Sequence, residues 1–170
     1  MGETVMLLGI HGVGKTFLLS QLDYDNYSAS DLIRQYKDSS TDEGKRVENI
    51  EDNQNILLNA IKNKKLFGQR FILDGHCCLL NKESNVEKIN RDVFMELGLA
   101  GLIVLYEDEE TICKRLKLRD QLEWDINLIR KFQHMELEYA RQLAEELRVP
   151  CLVTKSEREE VVSFINSMWR

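Results

Sequence analysis

The run Gly9-Ile10-His11-Gly12-Val13-Gly14-Lys15-Thr16 constrains this chain more than any other stretch in it. It satisfies G-x-x-x-x-G-K-[ST] at every fixed position. Its setting also fits: Val5-Met6-Leu7-Leu8 before it reads as a strand, and Phe17-Leu18-Leu19 after it opens a helix. Glycine lets the backbone turn so that successive N–H groups converge on phosphate oxygens. The run therefore predicts a phosphate loop for ATP or GTP, formed by Gly9, Gly12, Val13, Gly14, Lys15, Thr16 and Phe17. Lys15 would reach the β- and γ-phosphates, and Thr16 would offer its hydroxyl to Mg²⁺. His11 occupies a variable slot and receives no role.

A strand–loop–helix opening commits the rest of the chain to an α/β sheet, because parallel neighbours need crossover helices. The remaining apolar runs supply the strands. Phe71-Ile72-Leu73 ends in Asp74-Gly75, Leu102 to Leu105 ends in Tyr106 and an acidic group, and Cys151-Leu152-Val153 ends in Thr154-Lys155. Continuous apolar runs fit strands covered on both faces. A fifth strand is expected near Tyr27-Ser28-Ala29. Helical spacing runs from Gln54 to Lys65 and from Asp125 to Val149, the second offering Ile129, Phe132, Leu137, Ala140, Leu143 and Leu147 for burial. A last helix is expected after Ser156, a residue type suited to capping. Asp38 to Arg46 reads as a loop. The prediction is one doubly wound domain over residues 1–170, with five parallel strands, helices on both faces, an acceptor segment at about 27–65 and a short lid at about 119–126.

Composition narrows the partners. Lys plus Arg number 23 against 29 Asp plus Glu, a net charge of −6, which argues against an extended nucleic acid and leaves a protein partner open. The longest nearly apolar run, Leu97 to Tyr106, is about half of the ~20 residues a spanning helix needs, so no membrane segment is expected. No basic leader precedes Val5 to Ile10, so no secretory signal is expected either. Cys77, Cys78, Cys113 and Cys151 form no C-x-x-C and read as small core residues rather than zinc ligands or disulfides. The expected setting is a reduced cytoplasm.

Other motifs sort the kinds of nucleotide machine. A small GTPase needs N-K-x-D, and both Asn63-Lys64-Lys65-Leu66 and Asn81-Lys82-Glu83-Ser84 lack the final Asp. The chain is short for an AAA+ motor, and nothing resembles that motor's helical lid domain. Asp74 stands where an acidic residue beside the phosphate loop could hold a Mg²⁺-bound water. Arg115 and Arg119 are four apart and share a helix face, and Arg130 follows after the polar break Asp120 to Asp125. Planar guanidinium forks suit a transferred phosphoryl group, whose charge spreads over several oxygens.

Taken in order, these residues resemble the adenylate kinase family of nucleoside monophosphate kinases. Ile72-Leu73-Asp74-Gly75 resembles the family's strand-end motif, and Ser28-Ala29-Ser30-Asp31-Leu32-Ile33-Arg34 its acceptor segment. The resemblance implies that Arg34 binds the acceptor phosphate, with Ser30 and Asp31 beside it. It implies that Arg115, Arg119 and Arg130 grip the triphosphate and that Thr154 and Lys155 pack near the adenine. Asp74-Gly75-His76 is closer to archaeal-type adenylate kinases and a related ribosome-assembly ATPase. His76 replaces the usual F-P-R continuation and stands as a phosphate contact or a buried histidine. The polar turn holding Asn53, Gln54 and Asn55 could read an acceptor base. The expected activity is Mg²⁺-dependent transfer from ATP to a nucleoside monophosphate. Alternatives are a kinase for a small non-nucleotide hydroxyl, with Asp31 or Asp74 as base, and an assembly factor with weak ATPase.

Overall fold

The computed structural model describes residues 2–39 and 50–170, without the side chains of residues 50 and 51. Five strands form one parallel sheet: β1 (Thr4–Leu8), β2 (Asn26–Ser28), β3 (Phe71–Asp74), β6 (Leu99–Leu105) and β7 (Cys151–Thr154), in the order β2-β3-β1-β6-β7. Helices cover both faces, as the apolar runs require. Val5, Leu8, Leu73, Leu102 and Ile103 have no exposed surface and form the centre of the core.

The crossovers are α1 (Lys15–Ser20), α2 (Ala29–Ser39), α3 (Ile50–Asn63), α5 (Glu109–Asp120) and α6 (Ile126–Leu147), with α7 (Arg158–Met168) closing the chain. Asp38 and Ser39 belong to α2 rather than to the loop expected from Asp38. Its remainder, and the part of the acceptor segment at 40–49, lie outside the described residues. α3 begins before Gln54 and ends at Asn63, because Lys65 takes a positive φ of 56°. Asp125 caps α6 by accepting from the Asn127 N–H. Ser156 does not cap α7: it lies at φ 66°, its hydroxyl is buried without a partner among the described residues, and Glu157 takes the cap position.

Two elements escaped the sequence reading. A hairpin of β4 (Cys78–Leu80) and β5 (Val86–Lys88) follows β3, with Leu79 opposite Glu87. A short helix, α4 (Arg91–Leu97), comes next, capped by Asn90 and stopped by Gly98 at φ 64°. Tyr139 on α6 ties the hairpin's exit down by donating to the Ile89 carbonyl at 2.5 Å. Residues 121–125 link α5 to α6. No described helix is long and apolar enough to cross a membrane.

Candidate active site

Parallel pairing places the two acidic and basic motifs side by side. β1 and β3 run in register with Leu7 opposite Asp74, and the Gly75 N–H donates to the Leu7 carbonyl. The chain then leaves β1 as the phosphate loop. Gly12 takes φ 90°, and a Cβ there would stand 3.1 Å from a methyl of Ile112. Gly14 takes φ 103° and precedes α1 with no side-chain cap. An L-residue side chain is disfavoured at both positions, which is the physical content of the motif's glycines.

Lys15, in the first turn of α1, is buried. Its Nζ donates to the Gly75 carbonyl at 2.9 Å and pairs with Asp74 at 3.1 Å. Two histidines stand beside it: His11 and His76 have ring centroids 4.7 Å apart. Burial, then the Lys15 charge, holds the His76 imidazole well below its ordinary pKa, and the same two causes lower His11. Both rings are therefore neutral near pH 7. His76 Nδ1 is buried without a hydrogen-bond partner among the described residues.

These groups open into a cleft of about 1550 Å³. At its phosphate-loop end Arg115 donates to the Gly12 carbonyl at 3.0 Å and pairs with Glu107 at 3.5 Å. Arg119 pairs with its neighbour Asp120, and Lys155 with Asp108. At its other end stand Ser30, Asp31 and Gln54, with the apolar side chains of Leu57, Leu79 and Phe94. The cleft thus gathers Gly12, Val13, Gly14, Lys15, Thr16, Phe17, Asp74, His76, Arg115, Arg119 and Lys155 with the residues at that other end. Gly9 lies beneath the loop, donating its N–H to Glu136.

Three expected site residues are placed elsewhere. Arg34 is exposed on α2 and pairs with Asp31 at 2.7 Å instead of lining the cleft. Arg130 turns into a separate depression, bonded to Glu109 and Asn127. Thr154 is buried and donates to Glu160 at 2.7 Å.

The structure adds Glu107 and Glu136. Gln133 holds the Glu107 backbone by both its N–H and its carbonyl, fixing the carboxylate between Arg115 and Lys155. Glu136 is buried, and the signal for it was a charge midway along an apolar stripe, four residues from both Phe132 and Ala140. Cys77 and Cys78 are core residues as expected, yet they converge with Glu136 within 4.8 Å.

A family model described as AAA domain matches residues 8–130, from the end of β1 to Arg130. The chain belongs to the AAA domain family. That match spans the phosphate loop, Asp74 and the arginine-bearing α5; the adenylate kinase resemblance is narrower than what it shows. No curated protein matches this member of the AAA domain family. Among solved structures, a gluconokinase from Sinorhizobium meliloti 1021 is similar in fold, with a TM-score of 0.53 and 17% identity over 98% of this chain and 93% of that one. That likeness is one of fold, a parallel α/β sheet with helices on both faces.

Proposed function

We propose that this chain transfers the γ-phosphoryl group of ATP to a small acceptor, with a nucleoside monophosphate as the first candidate. The observation that carries the reading is continuity: one cleft runs from Lys15 and the phosphate loop to a compartment walled by α2, α3 and the β4–β5 hairpin. The buried Gln54 lines that compartment, and its amide suits the polar edge of a heterocyclic base.

Lys15 would neutralise charge on the transferred group, while Arg115 and Arg119 would leave their carboxylates to meet the triphosphate. A phosphate acceptor is already ionised, so the task of these residues is to orient it and exclude water. Gly12 and Gly14 take the positive φ that lets a phosphate loop turn, and Thr16 and Asp74 are oxygen donors fit for Mg²⁺. When bound, Mg²⁺ supplies charge neutralisation at the β- and γ-oxygens.

A second reading has a specific observation in its favour. Arg34 is turned onto Asp31, so among the described residues the acceptor end gains no arginine, and a neutral hydroxyl acceptor fits there as well. A coupled ADP-release assay with every common nucleoside monophosphate and a panel of sugar acids and polyols separates the two. Stimulation by a monophosphate supports the first reading and by a hydroxyl compound the second. No stimulation by either class sinks phosphotransfer to a small acceptor and leaves the assembly-factor ATPase, which a protein partner recovered only with ATP would support.

A further inference from the structure

One ionisable side chain in the core has no part in the chemistry above: Glu136. It lies on the buried stripe of α6 and is 1% exposed. A carboxylate there is tolerated only if its oxygens are satisfied. They are, entirely by main-chain N–H groups. Oε1 accepts from Gly9 at 3.2 Å and Cys77 at 3.1 Å, and Oε2 accepts from Cys78 at 2.7 Å and Cys77 at 3.3 Å. The donors belong to two segments: Gly9 opens the phosphate loop, and Cys77 and Cys78 directly follow Asp74-Gly75-His76.

The ladder between β1 and β3 explains why a strut is needed there. Its last rung is the Gly75 N–H donating to the Leu7 carbonyl. Beyond it both segments leave the sheet, and their N–H groups would face each other without acceptors. Glu136 supplies acceptors to both from below, while Lys15 joins the same two segments from the cleft side through Gly75 and Asp74. A glutamine has the length to replace it but would turn an NH₂ donor toward N–H donors. The nearness of Cys77 and Cys78 does not make a metal site, because the carboxylate is already engaged by three amides.

We propose that Glu136 is a positioning residue of the nucleotide site, its buried carboxylate fixing the phosphate loop against the segment that carries Asp74 and His76. The turnover arm of its test rests on the phosphotransferase reading; the binding arm does not. In the full chain, Glu136→Gln and Glu136→Asp are compared with wild type by thermal unfolding, ATP calorimetry, amide exchange and steady-state kinetics. The expected result for Glu136→Gln is cooperative unfolding, ATP binding at least fivefold weaker, and faster exchange at Gly9, Cys77 and Cys78 with Val5 and Leu73 unchanged. kcat should fall at least tenfold while the acceptor KM stays within threefold. Glu136→Asp, which keeps the charge, should recover part of the ATP affinity. A folded Glu136→Gln within twofold of wild type in ATP affinity and kcat overturns the proposal. If wild type transfers to no acceptor, the phosphotransferase reading fails while ATP affinity and exchange still decide this one. If neither variant folds, wild-type exchange decides: common protection of the three amides, deepened together by ATP, supports the strut, and unrelated rates overturn it.

Discussion

Replacing Lys15 by Met tests whether the Lys15–Asp74 pair is a coupled unit of the fold as well as of the site. The pair is 3.1 Å apart, with side chains 9% and 17% exposed. At that distance and an effective dielectric constant of about 20, the gross attraction is about 5 kcal/mol, offset in large part by the cost of desolvating both charges. Removing one partner leaves the other buried charge uncompensated, which costs about 3–5 kcal/mol. Asp74 keeps some access to water, so the lower end applies. About 3 kcal/mol corresponds to a fall of about 6–12 °C in melting midpoint for a chain of this size. Asp74→Asn should cost about as much, since Lys15 would keep only the Gly75 carbonyl. The double variant should lose at least about 2 kcal/mol less than the sum of the single losses. The assay is a four-member cycle of thermal and urea unfolding without nucleotide or Mg²⁺. ATP titration adds a second arm, because wild type at a hundredfold excess over Kd gains about 2.7 kcal/mol and the Lys15→Met variant should gain almost none. Losses additive within about 0.5 kcal/mol would refute the coupling, since independent sites behave that way.

Arg115→Ala should lower turnover by about 10²-fold, whereas Arg130→Ala, whose side chain is outside the cleft, should stay within about twofold; equal losses in steady-state kinetics would mean that Arg130 reaches the phosphates after all. Tyr139→Phe leaves the buried Ile89 carbonyl without its donor and should cost about 1–3 kcal/mol in urea unfolding; a loss below about 0.5 kcal/mol would count against that bond. Stability should fall as pH drops below about 6.5, the ordinary histidine value, because the unfolded chain protonates His11 and His76 while the native chain resists. Each contributes at most about 1.4 kcal/mol per pH unit, with the loss running from 6.5 down through the lowered native values. Between pH 7.5 and 5 the wild-type melting midpoint should fall more steeply than that of His76→Asn, and parallel curves would contradict the assignment.

What the sequence disclosed follows from how local each signal is. Four of the five strands were legible because a doubly covered parallel strand must be a continuous apolar run, as Val5 to Leu8 and Leu102 to Leu105 are, whereas β2 is three residues long and carries no such run. The phosphate loop was legible because its geometry depends on glycines at fixed spacing. The hairpin was hidden: Cys78–Leu80 and Val86–Lys88 are three residues each, too short for alternation to register. Arg34, Arg130 and Thr154 carried matching residue types, but where a side chain turns depends on partners such as Asp31, Glu109 and Glu160. Glu136 was visible as a charge on an apolar stripe, but its role lies in amides more than fifty residues away.

The charge distribution gives these placements a common logic. A net charge of −6 argued against long polyanions, and the cleft cations show how a small one can still be held. Lys15 pairs with Asp74, Arg115 with Glu107, Arg119 with Asp120, and Lys155 with Asp108 and Glu107. On the proposed reading, phosphate binding at these four residues would be an exchange of anions: the triphosphate would replace carboxylates that already orient the cations. The carboxylates differ in what the exchange costs them. Asp120 belongs to an exposed pair at the lid and can turn to water at little cost, since such pairs contribute little. Glu107 has its backbone held by Gln133, so it would stay near the loop after Arg115 and Lys155 turn to the triphosphate. Asp74 is the most confined of the acids named, and its oxygens are also the ones suited to Mg²⁺, so the cation that accompanies the triphosphate can compensate the charge that Lys15 leaves behind. On the proposed reading, the protein's own carboxylates would hold the positions that phosphate oxygens take.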